Sequence, residues 1–254
     1  MKTNALAQTA EQFIRACRTI GFTDMMKTVD LSRVLRKLPH LHLDDGYVLE
    51  CLTPGSEGMG GVSVIYALRK GSSRPDPDVI RTLCRRLESG ESGPEIQDMD
   101  PSSHITVEKC AEGLWEYHLF TEMFRFLPLW WHANYAEETY ITDADAVAKI
   151  AHVTSEMRKE LEDGDGCFSY EDRPYGLLRA SDVKNAVALC GDEMVLPSVT
   201  MDGDTGVIAY TSWSEWGGLS RKRIVASFTE DGSVLFIGSP AMVTLVNYEC
   251  GILF

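Results

Sequence analysis

The sequence predicts an α+β fold with largely antiparallel sheet and packed helices, and three observations carry that prediction. Strand-like runs follow one another directly at residues 46–69 and again at residues 193–254. Helical periodicity is grouped in separate blocks, and strands do not alternate regularly with helices as βαβ units require. Turn dipeptides of the tight-hairpin kind, Asp202-Gly203 and Asp231-Gly232, stand between consecutive apolar runs.

The elements follow in order along the chain. Leu6, Phe13, Ile14 and Cys17 recur at helical spacing and stop at Gly21, which predicts an opening helix. A second, short helix is expected with Asp30 as its N-cap, Leu31, Val34, Leu35 and Leu38 inward, and Pro39 as its end. "GYVLECLT" and "GVSVIYALR" then read as a hairpin around the glycine-rich loop "PGSEGMGG". That loop joins two strands and lacks the Lys-Ser/Thr of a phosphate-binding loop, so its glycines are read as loop residues.

After the breakers of "GSSRPDPD", "VIRTLCRRLE" predicts a helix and "SGESGPEIQDMDPSS" a polar loop. "HITVEKCA" and "LWEYHLFTEMFRF" alternate apolar and polar letters about Glu112-Gly113 and are expected to form a second hairpin, with "WWHANYAEETYI" a further strand. The clearest helical pattern covers residues 142–164, capped by Thr142 or Asp143, with Val147, Ile150, Ala151, Thr154, Met157 and Leu161 on one face and Gly164 closing it. "SDVKNAVAL" predicts one more helix. The strand series "EMVLPSVT", "TGVIAYTSW", "RKRIVASF", "SVLFIGS" and "MVTLVNYECGILF" ends the chain.

At 254 residues the chain has room for one large domain or two small ones. The division expected is an α+β N-terminal half, residues 1–142, and an α+β C-terminal half, residues 143–254, with one continuous domain as the alternative. Residues 48–66 and 195–210 echo each other, each following a short helical pattern, each opening on Val-Leu and closing on Gly-Val and Tyr. Two related helix-plus-hairpin halves would give that echo, and so would a chance match of strand-type letters.

Composition narrows the function class. A hydrophobic content of 44% with 24% charged residues is that of a globular protein. The first residues lack an apolar core and a small-residue cleavage site, and no apolar run approaches the ~20 residues of a bilayer span, so a cytoplasmic protein without a membrane partner is expected. Seven scattered cysteines with no CxxC pair fit reduced thiols. The net charge of −14 is uneven, with 13 basic against 14 acidic side chains in residues 1–100 and 11 against 24 in residues 101–254. A field of that sign repels phosphate backbones, which excludes nucleic acid as the expected partner.

Two kinds of residue cluster stand out. Trp130, Trp131, His132 and Tyr135 form one aromatic group, and Tyr210, Trp213 and Trp216 a second. Consecutive residues of a strand face opposite ways, so one of each pair of tryptophans needs a cover other than a single core. Tryptophan and tyrosine offer large contact area at low entropy cost, which makes Trp130, Trp131, His132, Tyr135, Trp213 and Trp216 candidate binding residues. Glu156 and Glu160, on the polar side of the 142–164 pattern, join them as an acidic face, since residues 137–172 hold eleven acidic side chains against three basic ones.

The second kind is "PHLHLDDG". His40, His42 and Asp44 alternate so as to present imidazoles and a carboxylate together. The stretch resembles the HxHxDH element of metallo-β-lactamase-type hydrolases, with Gly46 in place of the last histidine. "DGDG" at residues 163–166 and "DGDTG" at 202–206 do not supply the ligand spacing of a calcium loop. The leading expectation is therefore a non-catalytic binding protein of immunity, chaperone or adaptor type, engaging a basic protein partner without metal or cofactor. The alternative is a metal-assisted hydrolase with His40, His42 and Asp44 as ligands.

Overall fold

A computed structural model describes residues 4–20, 26–54, 60–131, 137–142, 194–214 and 217–246. The fold is α+β, with helices packed on antiparallel sheets. Helix α1 spans Ala5–Arg18; the Asn4 side chain caps it by accepting the Ala7 N–H at 2.7 Å, and Ala7, Ala10, Phe13, Ile14 and Cys17 are buried along one stripe. Strand β1 (Thr28–Asp30) leads into α2 (Ser32–Leu35), whose N-cap is Leu31 and not Asp30. Asp30 instead ends the strand and accepts the Ser32 N–H at 2.7 Å, a short turn in which its carboxylate still serves the first free amide.

Strand β2 (Leu41–Leu43) precedes β3 (Tyr47–Leu52), β4 (Gly60–Gly61) and β5 (Val64–Arg69). The expected hairpin is present: β3 and β5 pair antiparallel from Tyr47↔Arg69 to Leu52↔Val64, and β1 adds on the other side of β3. Helix α3 (Pro77–Glu88) follows and covers the expected helix, but it begins two residues earlier, inside the breaker stretch, with Asp76 as N-cap and Pro77 at the first position. The segment expected to be a polar loop contains helix α4 (Pro94–Met99) and a 3-10 turn over Pro101–His104. Each starts on a proline, whose fixed φ suits the first helical position and whose missing N–H costs nothing there.

The main correction concerns residues 104–126. Only β6 (Ile105–Val107) is a strand; residues Ala111–Thr121 form helix α5, not a hairpin arm. The Cys110 side chain caps it, accepting the Gly113 N–H at 3.3 Å. Every residue from Gly113 to Phe120 is buried. A helix enclosed on all sides carries no 3.6-residue polarity pattern, and its aromatic letters then pass for strand. Gly113 is no turn residue either: a Cβ there would lie 2.1 Å from the Glu108 carbonyl oxygen. Gly113→Ala is expected to cost about 1–3 kcal/mol in urea unfolding, because the clash outweighs the ~1 kcal/mol helix-propensity gain. Gly46→Ala, with nothing within 4 Å of its added Cβ, should stay within about 0.5 kcal/mol.

A 3-10 turn (Met123–Arg125) leads to β7 (Trp130–Trp131), which pairs with β4, and β8 is Glu138–Tyr140. Apart from the candidate cap Thr142, the helices expected at residues 142–164 and in "SDVKNAVAL" lie outside the described residues. The last third forms β9 (Ser198–Asp202), β10 (Thr205–Ser214), β11 (Gly218–Phe228) and β12 (Val234–Val246). Their sheet runs β12-β11-β10-β8, with β9 also paired to β10. Both predicted glycine turns occur, with Gly203 at φ +61° and Gly232 at φ +85°.

"SVLFIGS" and the first part of "MVTLVNYECGILF", expected as separate strands, belong to one strand of 13 residues, and residues 247–254 lie outside the described residues. The breakers between them sit in an irregularity: the register shifts between Arg223 and Val225, and Gly238 takes φ +72°. Pro240 is tolerated there because β12 ends the sheet among the described residues.

One cluster of buried residues runs from Ala10 and Phe13 of α1 through Leu49, Leu114, Trp115 and Leu119 to Tyr140, Ile208, Tyr210, Ile224 and Phe228. A smaller one joins Leu52, Tyr66 and Ile80. Among the described residues, no helix is long and apolar enough to cross a membrane.

Candidate functional site

Strands β2 and β6 pair antiparallel with His42 opposite Thr106, and the ladder continues as the Glu108 N–H donates to the His40 carbonyl at 3.0 Å. His40 and His42, two positions apart, therefore share a face with Glu108. Cys110 follows at the cap of α5, tied back by its own N–H to the Glu108 carbonyl at 2.8 Å. One ligand atom each from His40, Glu108 and Cys110 lies within 4.8 Å of the others.

Glu116, one and a half turns into α5, sits behind this group. Its carboxylate accepts the His40 backbone N–H at 2.7 Å with one oxygen and meets His40 Nδ1 at 2.7 Å with the other. The Glu116 side chain is 2% exposed and that of His40 31%. The hydrogen bond to Glu116 raises the imidazole pKa above its ordinary value, opposed in part by burial. Burial pushes the Glu116 carboxyl up, and His40 pulls it back. The buried carboxylate thus fixes the orientation of His40 through two contacts.

His42 Nε2 lies 2.8 Å from Glu108 Oε1, in a pair about half exposed on both sides and so worth at most about 1 kcal/mol. Asp44 points elsewhere. Its carboxylate stands 3.5 Å from His104 Nδ1, and the His104 ring stacks on Tyr47 at 3.6 Å. The structure thus separates Asp44 from His40 and brings Glu108 and Cys110 to it. The missing residues were hidden because Glu108, Cys110 and Glu116 fall in the segment whose helix reads as strand.

A second polar group is sealed inside the core. The Tyr140 hydroxyl and His118 Nε2 share a hydrogen bond at 3.2 Å, and Glu138 Oε1 accepts from Ser212 Oγ at 2.6 Å and from the Lys222 ammonium. Burial lowers the His118 pKa to about 3, and the positive charges of Lys222 and Arg125 act in the same direction. Burial likewise raises the Tyr140 and Tyr210 hydroxyls. His118, Tyr140, Tyr210 and Ser212 are each at most 2% exposed, so a dissolved substrate has no access to them. The group orders the core and holds the imidazole neutral.

Of the aromatic candidates, Trp130 and Trp131 pair through their backbones with Gly61 and Gly60, while the positions of their rings lie outside what is described. Trp213 is opposite Leu219 and Thr139 and is 7% exposed. His132, Tyr135, Glu156, Glu160 and Trp216 lie outside the described residues.

Exposed apolar surface is instead concentrated on β12. Leu235 is 60% exposed, Ile237 49%, Met242 60% and Val243 46%. The strand "VLFIGSPAMVTLV" contains no charged residue. Among the described residues its only strand neighbour is β11.

No family model matches this chain. Neither does any curated protein or solved structure.

Proposed function

We propose that the protein is a non-catalytic cytoplasmic binding protein, of the immunity, chaperone or adaptor kind, whose partner presents an extended basic segment to the exposed apolar stretch of β12 at Leu235, Ile237, Met242 and Val243. The observation that carries this reading is a long edge strand without charge in a chain of net charge −14. Edge strands are ordinarily guarded by lysine, short length or a cover, because an open edge recruits other strands. An unguarded one with large apolar side chains is suited to β-augmentation, where backbone hydrogen bonds give affinity and alternate side chains give specificity.

The acidic field selects a basic partner and steers it. In this reading the stretch 137–172, including Glu156 and Glu160, supplies much of that steering, while Trp130, Trp131, His132, Tyr135 and Trp216 serve as further anchors. Buried Trp213 adds packing rather than contact area. The free thiols of Cys17, Cys51, Cys84 and Cys110 support a reducing compartment.

The test is a selection from a random peptide library on the purified protein. Enriched peptides should alternate apolar residues and carry net positive charge. Their affinity should fall at least about tenfold in Ile237→Lys or Met242→Lys, a cost of about 1.4 kcal/mol, with the unfolding midpoint unchanged. Glu156→Lys with Glu160→Lys should slow association, and the wild-type on-rate should fall as salt shortens the Debye length from ~10 Å at 0.1 M to ~3 Å at 1 M. Enrichment of acidic peptides, affinity indifferent to the β12 lysines, or a stable dimer joined through β12 would each overturn the proposal.

A further inference from the structure

We propose that His40, Glu108 and Cys110 form a binding site for a zinc-type divalent cation, with Glu116 as the residue that positions His40. The three donors come from separate points of the fold, just before β2, just after β6 and at the cap of α5. Backbone hydrogen bonds hold those points together: Glu108 N–H to His40 carbonyl at 3.0 Å, Cys110 N–H to Glu108 carbonyl at 2.8 Å and Leu114 N–H to Cys110 carbonyl at 3.1 Å. The donor atoms already stand within 4.8 Å of one another, so a small rotation of side chains closes them on one ion.

The orientation of His40 is the second, independent observation. A carboxylate accepts hydrogen bonds and does not donate them, so the contact of Glu116 with Nδ1 places the ring proton there. Nε2 is then the atom with a lone pair to offer. A histidine ligand whose other ring N–H is held by a carboxylate is the arrangement that fixes tautomer and ring direction in metal centres. Glu116 is nearly fully buried and spends both oxygens on His40, one on the ring and one on the backbone N–H.

Donor chemistry selects the ion. Nitrogen, carboxylate oxygen and sulfur together suit zinc, whereas magnesium and calcium require sets built from oxygen. A neutral imidazole, a carboxylate and a thiolate offset the 2+ charge of the ion. Binding forms the metal–sulfur bond as the Cys110 thiol proton leaves to solvent, with no change of oxidation state. Three protein ligands leave a fourth tetrahedral position to water or to a group from outside. Glu108 is exposed and, among the described residues, its side chain pairs with half-exposed His42 alone, so it can turn to the ion, and the exposure provides the way in.

The experiment uses the full-length protein, purified reduced and metal-free, titrated with Co²⁺ as a spectroscopic probe and then with Zn²⁺. The expected result is one Co²⁺ per chain, tetrahedral visible bands, a thiolate-to-cobalt charge-transfer band and displacement of the cobalt by zinc. Cys110→Ser should abolish the charge-transfer band, His40→Ala should abolish stoichiometric binding, and Glu116→Gln should weaken binding by about 10–100-fold while leaving the charge-transfer band in place at saturation. Glu108→Gln alters an exposed side chain, so it tests ligation without risk to folding, and it should weaken binding as well. A cobalt complex without a thiolate band, a band that survives Cys110→Ser, or an affinity unmoved by His40→Ala and Glu108→Gln would each overturn the site.

Discussion

Trp115→Ala is expected to lower the free energy of unfolding by about 3–5 kcal/mol, the range for removing a large aromatic from a packed interior. Trp115 is fully buried on α5, with its ring centroid 5.5–5.8 Å from those of His118, Tyr140 and Tyr210. Its indole N–H donates to the Leu6 carbonyl of α1 at 2.8 Å. One side chain thus joins α1, α5 and the sheet carrying β8 and β10, and its loss leaves a cavity where the three meet. Trp115→Phe keeps an aromatic ring but gives up that hydrogen bond and part of the volume, so it should fall between wild type and alanine. Urea unfolding of the three proteins checks the order. A loss below about 1 kcal/mol for alanine would mean that the α1–α5–sheet junction does not hold the fold together.

His118 should make stability fall as the medium becomes acidic. The group is neutral in the folded protein, with its pKa lowered to about 3, against an ordinary value near 6.5. Between those values the unfolded chain takes up a proton that the folded chain refuses. The contribution of the neutral imidazole is therefore fully present above about pH 6.5 and is lost as pH falls toward 3, at up to about 1.4 kcal/mol per pH unit and of order 3–5 kcal/mol in all. The surrounding groups set the same direction. Lys222 of β11 and Arg125 of the turn after α5 are positive, while Tyr140 and Tyr210 are held un-ionised, and Glu138 and Glu122 are already engaged with Lys222 and Arg125. Comparison of wild type with His118→Gln at pH 7.0, 5.5 and 4.5 isolates this residue from the carboxylates. The stability gap between the two should narrow as pH falls; a gap constant across the range would show that His118 titrates as it does in the unfolded chain.

The fold was legible where local chemistry decides the backbone. The β3–β5 hairpin, the body of helix α3 and the glycine turns at Gly203 and Gly232 each follow from residues within a few positions of one another. Helix α5 was not, because burial on every side removes the polarity contrast from which periodicity is read. The single strand β12 was hidden for the opposite reason: Gly238 and Pro240 are breakers by letter, but an irregular edge accommodates both.

The same division governs the site. His40 and His42 announce themselves by alternation, whereas Glu108, Cys110 and Glu116 reach His40 only through the β2–β6 register and the docking of α5, which are long-range facts. The exposed apolar edge was invisible for a related reason. Leu235, Ile237, Met242 and Val243 look like core in the sequence, and their exposure depends on what packs over their sheet face, which is a long-range fact.

The central claim, that β12 is a recruiting edge, is tested most directly by residue-resolved amide hydrogen exchange on the full-length protein, with and without a saturating basic peptide from the library selection. In the free protein, alternate amides of residues 234–243 should exchange readily while those paired to β11 are protected. Peptide binding should confer protection on the exchanging set and leave the β11-facing set unchanged. Protection appearing on another surface while the β12 edge continues to exchange would contradict the account.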